Sequence, residues 1–195
     1  MFNNPMLPAI SGEPFDDGRY LFEPMIDGQR LGLIVRSGRT RLLTRHGNEV
    51  SRQYPELLQV PLKESMDVVL DGEAAYIDPH TGQTSFDILQ HRFRQTKLPG
   101  IREARREFPL TYFAFDILYC NGEDVRRYPL LERKAMLRAV MEDSPSILLL
   151  QGMKREGIAM YQMARRCSLE GVIGKKLDSP YRSGRSCEWI KIKVN

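Results

Sequence analysis

Short apolar runs separated by turn residues are the feature of this sequence that most restricts its fold. Residues 31–44 read LGLIVRSGRTRLLT, in which two apolar runs flank Gly38. Glycine readily adopts the positive φ that a tight hairpin turn requires. We therefore predict a β-hairpin at this point, and antiparallel β-structure as a main component of the fold.

Further strands and helices are predicted along the chain, after an N-terminal segment that is expected to be a loop. Strands are predicted at residues 67–78, 111–119, 146–150, 171–176 and 188–194. Helices are predicted at residues 85–93, 129–143 and 157–167. Ser85 is the expected N-cap of the first, and the second should bury one face formed by Leu130, Leu131, Leu137 and Val140. The fold class that follows is α+β, with largely antiparallel β-sheets flanked by helices in one domain, residues 1–195.

Composition excludes several functional classes. The 42% hydrophobic and 28% charged residues are typical of a soluble globular protein, and no run approaches the roughly 20 apolar residues of a membrane span. The N-terminus lacks the pattern of a signal peptide, so we expect a cytoplasmic protein without a membrane partner. The three cysteines are widely separated, which argues against both a zinc site and a disulfide framework. The net charge of +4 permits a polyanionic partner.

One segment, residues 91–108, concentrates basic side chains. Two interpretations stay open for it: a solvated helix face and loop, or a surface that contacts phosphates of nucleic acid. The candidates for phosphate contact are Arg92, Arg94, Lys97, Arg102, Arg105 and Arg106.

Six polar motifs occur in a fixed order along the chain, and each is weak when taken alone. They are EPMIDGQR (23–30), TRHGNEVSRQYPEL (44–57), LDGEAAYID (70–78), YFAFDILYCNGEDV (112–125), EGVIGKK (170–176) and SPYRSGRSCEWIKIK (179–193). In sequence, order and spacing they resemble the successive nucleotidyltransferase motifs of ATP-dependent DNA ligases, over nearly the whole chain. The YPEL, PLLERKAML and SPYRSGRS segments are more similar to DNA ligases than to RNA ligases or mRNA-capping guanylyltransferases.

The resemblance makes Met25 the unusual residue of the first motif. In that family the motif reads E-x-K-x-D-G-x-R, and its lysine attacks the α-phosphate of ATP to form lysyl-AMP. The AMP then passes to the 5′-phosphate of nicked double-stranded DNA, and the nick is sealed. Aligning Glu23, Asp27, Gly28 and Arg30 places Met25 at the lysine position. A thioether cannot replace a nucleophilic amine, so this chain is expected to bind ATP and Mg²⁺ without adenylating itself.

The same resemblance implies a set of site residues. The base of ATP would be recognised by Glu23 and the backbone at Pro24, with Phe115 on one face of adenine and Val172 or Ile173 on the other. Ribose and phosphates would be bound by Glu73, Arg30, Arg45, Lys175, Lys191 and Lys193. Glu170, together with Glu73, would bind Mg²⁺, and Met25, Asp27, Arg30, Lys191 and Lys193 would form the catalytic group.

Several alternatives remain open at this point. Relatives of this kind continue into an OB-fold domain, which is expected to be absent here because the chain stops at Asn195. The chain could instead be a catalytically dead nucleotide- or DNA-binding pseudoenzyme, or a capping-type or RNA ligase nucleotidyltransferase. Whether Met25 is natural or introduced is also open. We expect a monomer, and we assign no role to His46, His80 or His91.

Overall fold

Eleven strands and four α-helices are present in the part of the chain that the computed structural model describes, residue 2 and residues 4–194. The strands are β1 (Met6–Ser11), β2 (Asp17–Met25), β3 (Gln29–Arg36), β4 (Arg39–Thr44), β5 (Val68–Tyr76), β6 (Leu110–Cys120), β7 (Glu123–Asp124), β8 (Ile147–Leu149), β9 (Met153–Arg155), β10 (Gly171–Lys176) and β11 (Gly184–Lys193). The helices are α1 (Phe86–Arg94), α2 (Leu98–Glu107), α3 (Leu130–Val140) and α4 (Gly157–Arg166), with a short 3-10 helix at Pro55–Leu57. This mixture confirms the predicted α+β class.

The hairpin predicted at Gly38 is present and joins β3 to β4. Ser37 and Gly38 both have positive φ, 49° and 73°, which suits the twist of a two-residue hairpin turn. Ser85 is also confirmed as the N-cap of α1, because its side chain accepts a hydrogen bond from the backbone of Ile88 at 3.4 Å. Local chemistry therefore sets both features.

The strands form two sheets. The first has the order β1-β11-β10-β2-β9, and the second has the order β4-β3-β5-β6-β7 with β8 paired to β6. The pairs β1–β11 and β6–β8 are parallel, whereas the other strand pairs are antiparallel. β2 belongs to the first sheet and β3 to the second, so residues 26–28 carry the chain from one sheet to the other.

Buried apolar side chains form three clusters that separate the layers. One lies between the sheets and includes Phe115 and Leu118 of β6 together with Trp189 of β11. The largest packs on the other side of the second sheet, where α1 and α3 contribute side chains. The third packs β2, β10 and β11 against α4. This stacking places the facing sides of the two sheets around the site described below.

Two predictions about local structure are wrong. The N-terminal segment is not a loop, because it contains β1 and β2. Leu131 is 51% exposed, whereas Arg133 and Lys134 are buried on α3. Helical spacing from Leu130 reaches positions 133, 134 and 137, so the buried face includes two charged residues that a search for apolar residues overlooks.

Arg92 also differs from its predicted role as a phosphate contact. Its side chain is fully buried and forms an ion pair of 2.8 Å with Glu56. It donates hydrogen bonds to the carbonyls of Phe108 and Gln53. Arg92 therefore anchors α1 to the body of the domain.

No α-helix among the described residues is both long and apolar enough to cross a membrane.

Candidate active site

A cavity of about 860 Å³ lies where the two sheets face each other, and α1 forms part of its wall. Met25 is the last residue of β2 and lies on this cavity, just before the chain crosses to β3. Gly28 completes the crossing at a point where a Cβ atom would approach the carbonyl oxygen of Ala74 to 2.4 Å. Only glycine fits there, which explains the DG pair in the first motif.

Most of the predicted site residues meet around this one cavity. They are Glu23, Pro24, Met25, Asp27, Arg30, Arg45, Glu73, Phe115, Glu170, Lys175 and Lys191. They come from both sheets and from all six motifs. Residues up to 168 positions apart in sequence are therefore brought to one place by the fold.

Val172 and Lys193 are placed differently from the prediction. Successive side chains of a strand point to opposite faces, and Val172 is fully buried among Phe22 and Ile192 against α4. Its neighbour Ile173 lines the cavity instead. Lys193, the last residue of β11, is exposed and is not among the described residues that line the cavity.

Glu23 lies at the buried end of the cavity between two lysines. Its carboxylate contacts Lys134 Nζ and lies 2.5 Å from Lys175 Nζ, and all three side chains are at most 7% exposed. Burial raises the pKa of Glu23, but the positive charges of Lys134 and Lys175 outweigh it and lower the pKa. Glu23 is therefore a buried ionised carboxylate.

Phe115 lies beside Glu23 and is surrounded by cations. The Lys175 Nζ and the Arg30 guanidinium carbon lie 4.1 Å and 4.3 Å from the centre of its ring, and Trp189 packs edge-on at 6.3 Å. The ring is 5% exposed. Its face carries negative partial charge, so both contacts stabilise the aromatic floor of the cavity.

Arg30 is held by a buried network. Its Nε and Nη2 donate to Asp71 at 2.5 Å and 2.7 Å, and Asp71 also accepts from the Tyr181 hydroxyl at 2.5 Å. The paired geometry fixes the guanidinium in one orientation at the cavity wall. Asp71 of the LDGE motif is thus the residue that positions Arg30.

Three carboxylates collect at the more open end of the cavity. Burial, with the charges of Asp27, Asp71 and Glu170, raises the pKa of Glu73 to about 8 although Arg30 opposes this. Burial and Glu170 likewise raise the pKa of Asp27. Lys191 Nζ donates to Glu170 at 2.8 Å and supplies a cation at this edge. Among the described residues, no group of three His, Cys, Asp or Glu side chains is arranged to hold a metal ion.

The raised pKa of Glu73 predicts a pH dependence of stability. Unfolding restores its ordinary pKa of 4.5, so between 4.5 and about 8 the folded chain holds a proton that the unfolded chain releases. Stability should therefore fall as pH rises through this interval. A Glu73→Gln variant should lose that part of the dependence, as measured by urea midpoints at about pH 5 and about pH 8. Glu103→Gln, which changes an exposed residue of α2, is the matched control, and equal pH dependence in both variants would contradict the assignment.

Sequence reasoning missed part of the cavity wall. Phe86 and Phe93 of α1 line it, as does His46, whose Nε2 accepts a hydrogen bond of 2.9 Å from Arg45 Nε. The feature that marks α1 as part of the cavity wall is the exposure of two large apolar side chains, 46% for Phe86 and 42% for Phe93. Such exposure becomes visible only once the fold is known.

Comparison with protein families gives one match that spans almost the whole chain. The model of the ATP dependent DNA ligase domain matches residues 11–193. The SPbeta prophage-derived DNA ligase-like protein LigB of Bacillus subtilis (strain 168) is 34% identical over 193 residues, which cover 98% of this chain and 67% of that protein. The multifunctional non-homologous end joining protein LigD of Pseudomonas aeruginosa is 35% identical over 195 residues, covering 97% of this chain and 22% of that protein.

Solved structures agree with this result. The mycobacterial DNA ligase D complexed with ATP and MES superposes with a TM-score of 0.76 at 28% identity, over 97% of this chain and 59% of that one. The ligase domain of M. tuberculosis LigD gives a TM-score of 0.77 at 29% identity, over 97% of this chain and 58% of that one. The chain thus spans less than two thirds of both solved chains.

Proposed function

Because the chain belongs to the ATP-dependent DNA ligase domain family, as its adenylation domain, we propose that its cavity binds ATP and Mg²⁺. With lysine at position 25 the domain would form lysyl-AMP and pass AMP to the 5′-phosphate of nicked double-stranded DNA for sealing. The form with Met25 binds the nucleotide without adenylating itself. The observation that carries this proposal is the arrangement of Glu23, Phe115 and Lys191 around Met25 in one cavity.

The buried end of the cavity suits the base, and the part next to it suits the sugar. Glu23 supplies an ionised acceptor for an exocyclic amino group, and Phe115 and Ile173 supply apolar surface for the ring. Towards the more open end, Glu73 has a pKa raised to about 8, so near neutral pH its protonated carboxyl can hydrogen-bond to ribose hydroxyls and is a poor metal ligand. These side chains therefore offer suitable contacts to both the base and the sugar of a nucleoside.

The more open end suits phosphates. Arg45 and Lys191 line it and supply positive charge, and Glu170 is the carboxylate beside them. Magnesium is commonly held by one or two carboxylates and by substrate phosphates, so Glu170 with the triphosphate fits this ion better than a site made of protein alone. When bound, the ion would neutralise phosphate charge and favour departure of pyrophosphate.

Met25 lies between these two ends, where an α-phosphate would lie. Methionine is unbranched and similar in length to lysine, so it occupies the position without blocking the cavity. The two lysines among the described lining residues, Lys175 and Lys191, are each paired with a carboxylate. Neither is therefore a free amine that could replace the missing nucleophile.

The DNA surface is proposed to include the exposed basic residues of α1, of α2 and of the short segment between them. Arg94, Lys97, Arg102, Arg105 and Arg106 are all exposed. Arg94 also lines the cavity, so a phosphate backbone could run from this surface to the reaction site. We further propose that the domain acts as a monomer in the cytoplasm.

Titration of nucleotide into this chain tests the proposal. ATP with Mg²⁺ should bind more tightly than GTP, whereas a preference for GTP would favour a capping-type enzyme. Lys191→Met should weaken ATP binding roughly tenfold, because a charge-assisted contact to phosphate is lost. The matched control is Lys193→Met, which removes an exposed lysine two positions along the same strand and should leave affinity unchanged. Equal effects of the two substitutions would contradict the placement of Lys191.

A further inference from the structure

Lys134 on α3 is a buried charge to which the reaction proposed above gives no role. Its Nζ donates to the carbonyls of Phe115 at 3.1 Å and Leu150 at 3.3 Å, and it contacts Oε1 of Glu23. Its side chain is 7% exposed. Burying an ammonium is costly unless its hydrogen-bond donors are satisfied, and here the three contacts satisfy them.

Lys134 reaches Glu23 from behind the cavity. Glu23 lines the cavity, whereas Lys134 is absent from the described lining residues. The second carboxylate oxygen, Oε2, lies 2.5 Å from Nζ of Lys175, which does line the cavity. Oε2 is also a buried atom without a partner in hydrogen-bond geometry among the described residues. Lys134 thus binds Oε1 from the side away from the cavity, and Oε2 faces the cavity.

We propose that Lys134 is a positioning residue that sets base selectivity, by holding Oε1 of Glu23 so that Oε2 accepts a hydrogen bond from the 6-amino group of adenine and repels a 6-oxo purine. This inference rests on the proposed function, because it needs the base of ATP at the buried end of the cavity. A carboxylate accepts hydrogen bonds and cannot donate them, so it discriminates between an amino and an oxo group at one position.

The charges around Glu23 support this role. Lys134 faces it from α3 and Lys175 from β10, and Asp116 of β6 acts on Lys175. Burial alone would raise the pKa of Glu23, and a protonated Glu23 could donate to a 6-oxo group. Two lysines keep the acceptor ionised, and Lys134 is the one that does so without occupying the cavity.

The test compares ATP with inosine triphosphate, which carries an oxo group in place of the 6-amino group. The ratio of the two dissociation constants is measured for the unsubstituted chain, for Lys134→Met and for Lys63→Met. Lys63 is a matched control, because it is exposed and its Nζ donates at 3.2 Å to the carbonyl of Arg138, also on α3, without contacting Glu23. Lys134→Met should reduce the preference for ATP roughly tenfold or more, and Lys63→Met should not change it.

The outcomes separate this inference from the proposed function. A chain that binds neither nucleotide would contradict the proposed function itself. A chain that prefers ATP equally with and without Lys134 would overturn only the role of Lys134, since a purely structural lysine would change stability and not the ratio. If Lys134→Met does not fold, Lys134→Gln, a shorter and neutral side chain, is measured in its place. A fall in the ratio supports the proposal, and an unchanged ratio refutes it.

Discussion

A Met25→Lys variant is expected to gain one covalently bound AMP when it is incubated with ATP and Mg²⁺, whereas the unsubstituted chain gains none. The reaction needs an amine with a free lone pair at the α-phosphate, and Met25 provides a thioether. The rest of the cavity already holds acceptor, aromatic and cationic side chains in place. Intact-protein mass spectrometry measures the adduct directly.

Met25→Arg is the matched control for this experiment. Arginine restores length and positive charge but stays protonated, so it should give no adduct. An adduct on the chain with Met25 would contradict the assignment of the nucleophile position. Absence of an adduct on Met25→Lys would favour the alternative of a nucleotide- or DNA-binding pseudoenzyme.

Much of the site could be predicted from the sequence because its residues belong to short motifs whose local structure depends on neighbouring residues. Asp27 and Gly28 follow Met25 at a crossing where only glycine fits, and Glu73 lies within the buried strand β5. The family resemblance also assigned Lys191 to the site, and this residue lines the cavity. The sequence left Val172 and Ile173 as alternatives, because strand alternation places neighbouring side chains on opposite faces without showing which face borders the cavity.

The parts that could not be predicted depend on contacts distant in sequence. Arg92, Arg133 and Lys134 read as surface residues because charged side chains are seldom buried without partners. Their partners, Glu56, Asp116 and Glu23, lie 17 to 111 positions away along the chain. Only the assembled fold shows that these charges are paired.

The Asp116–Arg133 pair leads to the prediction with the largest expected effect on stability. Arg133 Nε and Nη2 donate to the two oxygens of Asp116 at 2.8 Å and 2.9 Å, and both side chains are fully buried. Its Nη1 donates to the carbonyls of Tyr128 and Ser179, so the arginine joins α3, β6 and the segment after β10. Arg133→Met should lower the free energy of unfolding by about 3–5 kcal/mol, because it leaves a buried carboxylate without its cation.

Arg126→Met is the matched control, since it removes an arginine from a similar two-contact pair with Asp124 that is 43% and 52% exposed. Water replaces the lost contacts there, so the cost should be about 0–1 kcal/mol. Urea unfolding followed by circular dichroism gives both values. The double variant Asp116→Asn/Arg133→Met, which buries no unpaired charge at this site, should recover part of the loss. Equal costs for Arg133→Met and Arg126→Met would show that the buried pair does not hold α3 on β6, and the strand that carries Phe115 would then owe its position to apolar packing alone.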